Sequence, residues 1–173
     1  FHNKQEEDHY ILAGYPWFKC RARDMFVSLP GLTLAVDEIG EFEDVMETAR
    51  KAINNYIKGE PIGCKIYEMD DPDVLLWAVW ALQQYAKETS REQCRAKYGS
   101  LLEEIIDFIR QRKHDNLFLH ENGLLYANGA DRAITWMNST VNGRPVIPRT
   151  GYIVEINALW YNACLLYTSD AAD

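Results

Sequence analysis

Pro72-Asp73-Val74-Leu75-Leu76-Trp77-Ala78-Val79-Trp80-Ala81-Leu82 is apolar almost all the way round a helical wheel. Pro72 and Asp73 suit the start of a helix, the proline because its missing N–H is one that a first turn leaves unused. A helix over 73–86 with this pattern has almost no face to offer water, so other elements must enclose it. Its neighbours along the chain differ. Residues 41–56 place Phe42, Val45, Met46, Ala49, Ile53 and Tyr56 at helical spacing among Glu, Lys and Arg, and residues 100–112 set Leu101, Leu102, Ile105, Ile106 and Ile109 against Glu103, Glu104, Asp107 and Arg110. The predicted rhythm is outer, inner, outer, and a further helix over 153–163 turns Ala158, Leu159 and Trp160 inward. The fold class is all-α. A toroid of helical hairpins, a bundle and a solenoid all fit this periodicity.

The connections are read from their breakers. Residues 1–10 form a polar lead-in, and 11–18, with Gly14 and Pro16, form a loop entering the core. Asp24 begins or caps the helix that carries Met25, Phe26 and Leu29. Gly59, Pro61 and Gly63 make 58–71 a loop, and Asn122-Gly123 sets a hairpin or turn within 116–126. Gly143-Arg144-Pro145 and the run to Gly151 interrupt any helix before the last one.

The 173 residues are 47% hydrophobic and 25% charged, enough for one domain, or part of one, with a real core. Cys164-Leu-Leu-Tyr-Thr-Ser-Asp-Ala-Ala-Asp173 resembles a translated sequencing-library adapter, so 1–163 is taken as a partial domain and 164–173 as a non-native tail. The chain opens on Phe1, and its natural start is expected upstream. The net charge of −8 stays acidic without the tail's two aspartates, and with no basic stripe to displace phosphate counterions nucleic acid is not an expected partner. Cys20, Cys64 and Cys94 suit a reducing, cytoplasmic compartment better than a disulfide framework. No apolar run is long enough for a bilayer, so no membrane association is expected. The histidines at 2, 9, 114 and 120 lack ligand spacing, and neither a metal nor a cofactor is expected.

Residues 135–163 mix types that a plain core does not need. Trp136 sits near Asn138, Arg144 and Arg149 adjoin prolines, and Glu155, Asn157, Trp160 and Asn162 follow on the next helix. Flat rings that cover the C–H face of a sugar, with amides and fixed charges for its hydroxyls, have this composition.

Ala13-Gly-Tyr-Pro-Trp-Phe-Lys-Cys-Arg-Ala-Arg-Asp-Met-Phe-Val-Ser-Leu-Pro-Gly-Leu32 resembles the signature Ala-Gly-Tyr-Pro-Trp-Phe-x-x-Trp-Gly-Arg-Asp-Thr-Phe-Ile-Ser-Leu-Pro-Gly-Leu of the glycogen debranching enzyme family, in its amylo-alpha-1,6-glucosidase domain. Asp73-Val-Leu-Leu-Trp77 is similar to that family's Asp-Ala-x-Leu-Trp. Thr135-Trp-Met-Asn138, Gly143-Arg-Pro-Val-Ile-Pro-Arg149 and Val154-Glu-Ile-Asn-Ala-Leu-Trp-Tyr-Asn-Ala163 resemble its Thr-Trp-Met-Asp, Gly-x-x-Val-x-Pro-Arg and Val-Glu-Ile-Asn-Ala-Leu-Trp-Tyr-Asn-Ala. The matches run in order from Ala13 to Ala163.

The resemblance implies part of an (α/α) six-hairpin toroid, incomplete at both ends, and hydrolysis of the alpha-1,6-linked glucose at branch points of glycogen or starch. A branched alpha-glucan is the implied partner. The implied chemistry is inverting: one carboxylic acid protonates the leaving oxygen, and a carboxylate roughly 6.5–9.5 Å away activates water. Two departures stand out. The general-acid position is occupied by Asn138, whose amide cannot serve as a carboxylic acid, which leaves Asp131 and Glu155 as nearby candidates. Arg21-Ala22 replaces Trp-Gly ahead of Arg23-Asp24. The partner base falls downstream of Ala163.

Each implied site residue also has a plainer reading. Arg23 and Asp24 bind hydroxyls, or form a helix cap with an ion pair. Asp73 binds sugar or caps its helix, and Trp77 reaches the cavity while Trp80 belongs to the core. Trp17 and Trp136 are stacking candidates. Arg144 and Arg149 contact substrate or pin a loop to carbonyls. Two other functions remain open: a glucan-binding relative that has lost its acid, and another helical-toroid glycosidase of trehalase-like or glucosidase-like type.

Overall fold

In the computed structural model, residues 8–170 are described, with side chains to Thr168. Most of the polar lead-in, including His2, and the last three residues lie outside them. The helices of this stretch are α1 (Ala22–Leu32), α2 (Ile39–Lys58), α3 (Val74–Glu88), α4 (Arg91–Arg110) and α5 (Val154–Asp170). The short strands are β1 (Cys20–Arg21), β2 (Ile66–Tyr67), β3 (Leu117–Leu119), β4 (Leu125–Ala127), β5 (Thr140–Val141) and β6 (Arg144–Pro145). The described chain is mostly helical, and no described helix is long and apolar enough to cross a membrane.

Two rows of helices follow from the apolar patterns. α3 buries Val74, Leu75, Leu76, Ala78, Val79, Ala81, Leu82 and Tyr85, and packs against α1, α4 and α5. α2, whose buried stripe runs from Phe42 to Ile53, packs against α4. The enclosed helix and its amphipathic flanks therefore take the expected inner and outer places. Phe42 of α2 stacks on Tyr85 of α3, ring centroids 5.1 Å apart, which joins the rows. Gly59, at φ 72°, closes α2 by donating its N–H to Asn55 and Tyr56 carbonyls, a left-handed cap that glycine adopts without steric cost.

Three local expectations are corrected. The helix expected over 100–112 begins at Arg91: Ser90 accepts a hydrogen bond from the Gln93 N–H at 3.1 Å and caps it. The first turns of that helix carry few apolar residues, so periodicity alone misses them. Ala158 of α5 is exposed, whereas Ile156, Leu159, Trp160 and Ala163 are buried. The Asn157 amide beside it accepts from Leu125 N–H at 2.8 Å and donates to Leu125 C=O at 2.9 Å, extending the edge of β4. Asp73 stands at the N-cap position of α3 without a side-chain capping bond, because its carboxylate is used elsewhere.

β3 and β4 form the expected hairpin, with Gly123 at φ 80° in its turn. β1 and β2 pair in parallel, Cys20 opposite Ile66 and Arg21 opposite Tyr67. Arg21 reinforces this register with two bonds to Glu68, at 3.0 and 2.8 Å. Its side chain thus faces the β2 segment, and Ala22 is wholly buried. Pinning β1 to β2 brings the head of α1 against the segment that leads into α3.

Candidate active site

The heads of the inner helices converge on one cavity of about 550 Å3. α1 contributes Arg23, Asp24, Val27 and Ser28, α3 contributes Trp77 with Asp73 at its cap, α5 contributes Glu155, and Trp136 arrives from the loop after β4. Leu12 and its neighbours from the entering loop complete the wall. Residues far apart in sequence and selected for sugar contact share one hollow.

Their charges are not equally available. Arg23 donates from Nε to Asp73 Oδ2 at 2.8 Å and from Nη2 to Asp73 Oδ1 at 2.9 Å, and Nη2 also meets Asp71. Trp77 Nε1 donates to Asp73 Oδ2 at 3.2 Å. Asp73 is almost fully buried, and its two oxygens serve protein donors. Burial works against the Arg23 charge, but the hydrogen bonds and charge of Asp73, with those of Asp71, outweigh it and raise the guanidinium pKa. For Asp71 burial prevails over Arg23 and pushes the carboxyl up. Arg132 extends the group, donating to Asp70 at 2.6 Å and to Asp71 at 3.2 Å.

Glu155 forms a second group. Its Oε1 accepts from Arg149 Nη1 and from Trp136 Nε1, the latter at 3.3 Å, and Arg149 Nη1 also donates to Thr135 Oγ1 at 2.8 Å. The Arg149 hydrogen bond holds the Glu155 carboxyl below its usual value, so it is ionised at neutral pH. An ionised carboxylate accepts hydrogen bonds or activates water, whereas the proton-donor role expected of Glu155 requires its protonated form. Asp24, in the first turn of α1, is exposed on the cavity wall; its backbone carbonyl accepts from the Ser28 hydroxyl at 2.6 Å, while its carboxylate makes no hydrogen bond or ion pair with the described residues. It is the cavity carboxylate left for a ligand.

Other expected residues stand apart from the wall. Trp17 is 82% exposed in the turn closed by the Gly14–Phe18 bridge. Asn138 is half-buried two positions beyond Trp136, while Asp131 and Arg144 are exposed, and none of these lines the cavity. Arg149 lies behind Glu155, with its charge directed at protein groups. Sequence reasoning passed over Asp71, Arg132 and Thr135. The acid-rich run Asp70-Asp71-Pro72-Asp73 before a helix whose first turns are apolar was the available signal for the first, since carboxylates so placed need buried cations. Among the described residues, no group of three or more His, Cys, Asp or Glu side chains is placed to hold a metal.

The family model described as amylo-alpha-1,6-glucosidase matches residues 1–172. The chain belongs to the amylo-alpha-1,6-glucosidase family. No curated protein and no solved structure matches it. Membership makes it a relative of glycoside hydrolases, enzymes whose work is done by carboxyl groups around a sugar. In that light, a hollow flanked by Trp77 and Trp136, with one open carboxylate and two sets of charges locked to each other, is the candidate active site.

Proposed function

We propose that this chain carries the glucose-binding part of an inverting alpha-1,6-glucosidase that removes the single glucose left at glycogen or starch branch points, within a ring of (α/α) hairpins. The single observation that carries the reading is the Asp24 carboxylate, bonded to none of the described residues, in a hollow shared with Trp77, Trp136 and Glu155. A hexose offers hydroxyl donors to Asp24 and C–H faces to the indoles, and a neutral ligand needs no counter-charge. The locked Arg23–Asp73 and Arg149–Glu155 pairs keep the walls in place without reorganising when the sugar enters. The two rows of helices support the ring architecture.

Asn138 favours a second reading, a glucan-binding relative that does not turn over. At the position that the family resemblance assigns to the general acid, an amide supplies no acidic proton. The test uses the protein expressed from its whole reading frame on phosphorylase limit dextrin. Release of free glucose supports the hydrolase; retention on the dextrin without release supports the binder. Neither retention nor release would remove both.

A further inference from the structure

We infer that Arg149 is a positioning residue of this cavity, holding Trp136 and the turn of residues 135–138 at its mouth through Thr135 and Glu155. Trp136 is 66% exposed, and its indole N–H is anchored on Glu155 Oε1 at 3.3 Å. The same Glu155 oxygen takes Arg149 Nη1, and that nitrogen also reaches Thr135 Oγ1 at 2.8 Å. One guanidinium nitrogen therefore joins the head of α5 to the residue before Trp136.

Thr135 is where such a tie is needed. It is completely buried and sits at φ 65°, a left-handed conformation costly for a β-branched residue unless its surroundings impose it. Its hydroxyl accepts from Arg149 and, at 3.4 Å, from the Met137 N–H, so the side chain stitches the turn on both sides. Arg149 is itself fixed by its backbone. A Cβ on Gly129 would stand 2.5 Å from the Arg149 carbonyl oxygen, Gly129 N–H donates to Thr150 Oγ1 at 3.1 Å, and Ala127 bridges Gly151. Its charge is then spent on protein groups, and the effect on a ligand passes through Trp136. The turn also carries Asn138, so the same tie sets where that amide stands.

The inference rests on the sugar-cavity reading in taking Trp136 as a ring that covers the ligand, and its test separates the two. Arg149→Met, Arg149→Lys, Glu155→Gln and Trp136→Phe are made in the protein from the whole reading frame. The Trp136 contribution to near-ultraviolet circular dichroism is the wild-type spectrum minus that of Trp136→Phe. Arg149→Met should lose most of that contribution and weaken affinity for limit dextrin on the order of tenfold, the loss of a charge-assisted tie. Arg149→Lys should restore part of both, because an ammonium keeps the charge and carries donors for the two oxygens, Thr135 Oγ1 and Glu155 Oε1, that one nitrogen serves here. Glu155→Gln, which keeps the shape if Arg149→Met fails to fold, should lose part of the signal. A folded Arg149→Met or Glu155→Gln with the full wild-type contribution overturns the positioning role. Wild-type protein that shows the contribution but no dextrin affinity overturns the sugar reading and leaves the spectroscopic result to judge Arg149.

Discussion

Arg23 of α1 and Asp73 at the head of α3 face each other through two parallel hydrogen bonds, 2.8 and 2.9 Å long, across 50 positions of sequence. This bidentate pair fastens the two inner helices where the cavity opens. Removing one partner of a buried pair leaves the other charge uncompensated, so Asp73→Ala should destabilise the protein by about 3 kcal/mol. Asp71→Asn should cost less, because burial already opposes the Asp71 charge strongly enough to raise its pKa. Urea unfolding of both variants checks the order, and equal losses would contradict it.

Asp24 should behave in the opposite way. It is exposed and its carboxylate is bonded to no described residue, so Asp24→Asn should change stability by about 0.5 kcal/mol or less. Calorimetric titration with limit dextrin should nevertheless show binding reduced at least on the order of tenfold, since the amide replaces an anionic acceptor. Unchanged affinity would place the ligand elsewhere.

The Glu155 pair predicts a pH window. Its folded pKa lies below the ordinary value of 4.5, because the ionised form is the one Arg149 binds. Stabilisation from that bond is therefore fully present above about pH 4.5 and is lost as the pH falls through the lower folded value. The stability difference between wild type and Glu155→Gln should be constant from pH 6 to 5 and shrink in more acidic solution, as read by denaturant midpoints. A difference that grows on acidification would reverse the sign and refute the pairing.

Gly129 predicts a steric effect at a distance from the cavity. A methyl there would meet the Arg149 carbonyl oxygen at 2.5 Å and Ile134 side-chain atoms at 2.8 and 2.9 Å. Gly129→Ala should cost about 1–3 kcal/mol by overpacking and, by displacing Arg149, lower dextrin affinity as well. Stability loss with wild-type affinity would uncouple this contact from the site.

Asn138→Asp tests the acid position. A positioned general acid contributes roughly 10²–10⁴-fold, so glucose release from limit dextrin should rise within that range. No rise in a protein that still binds dextrin would show that residue 138 does not serve the leaving oxygen.

Much of the helical core was legible because its signals are local. Phe42, Val45, Met46 and Ala49 repeat at helical spacing and the run from Val74 to Leu82 offers almost no polar face, so the roles of α2 and α3 can be assigned without knowing their neighbours. The start of α4 was not, since Arg91 to Gly99 carry little apolar periodicity and depend on the Ser90 cap. The cavity was legible in membership more than in role. Arg23, Asp24, Asp73, Trp77, Trp136 and Glu155 do meet, yet the motifs could not distinguish a charge that faces the hollow from one that a neighbour consumes.

By itself, the sequence determined the enclosed helix, its amphipathic flanks, the hairpin at Gly123 and membership of a glucosidase family, because these depend on spacing within a few turns of chain or on runs of matching residues. Only the tertiary structure decided that Asp24 is open while Arg23 is locked to Asp73, and that Arg149 serves Thr135 and Glu155. Hydrogen bonds form between groups within about 3 Å in space, and Arg23 and Arg132 find Asp71 across 48 and 61 positions of chain, a pairing that no local pattern encodes.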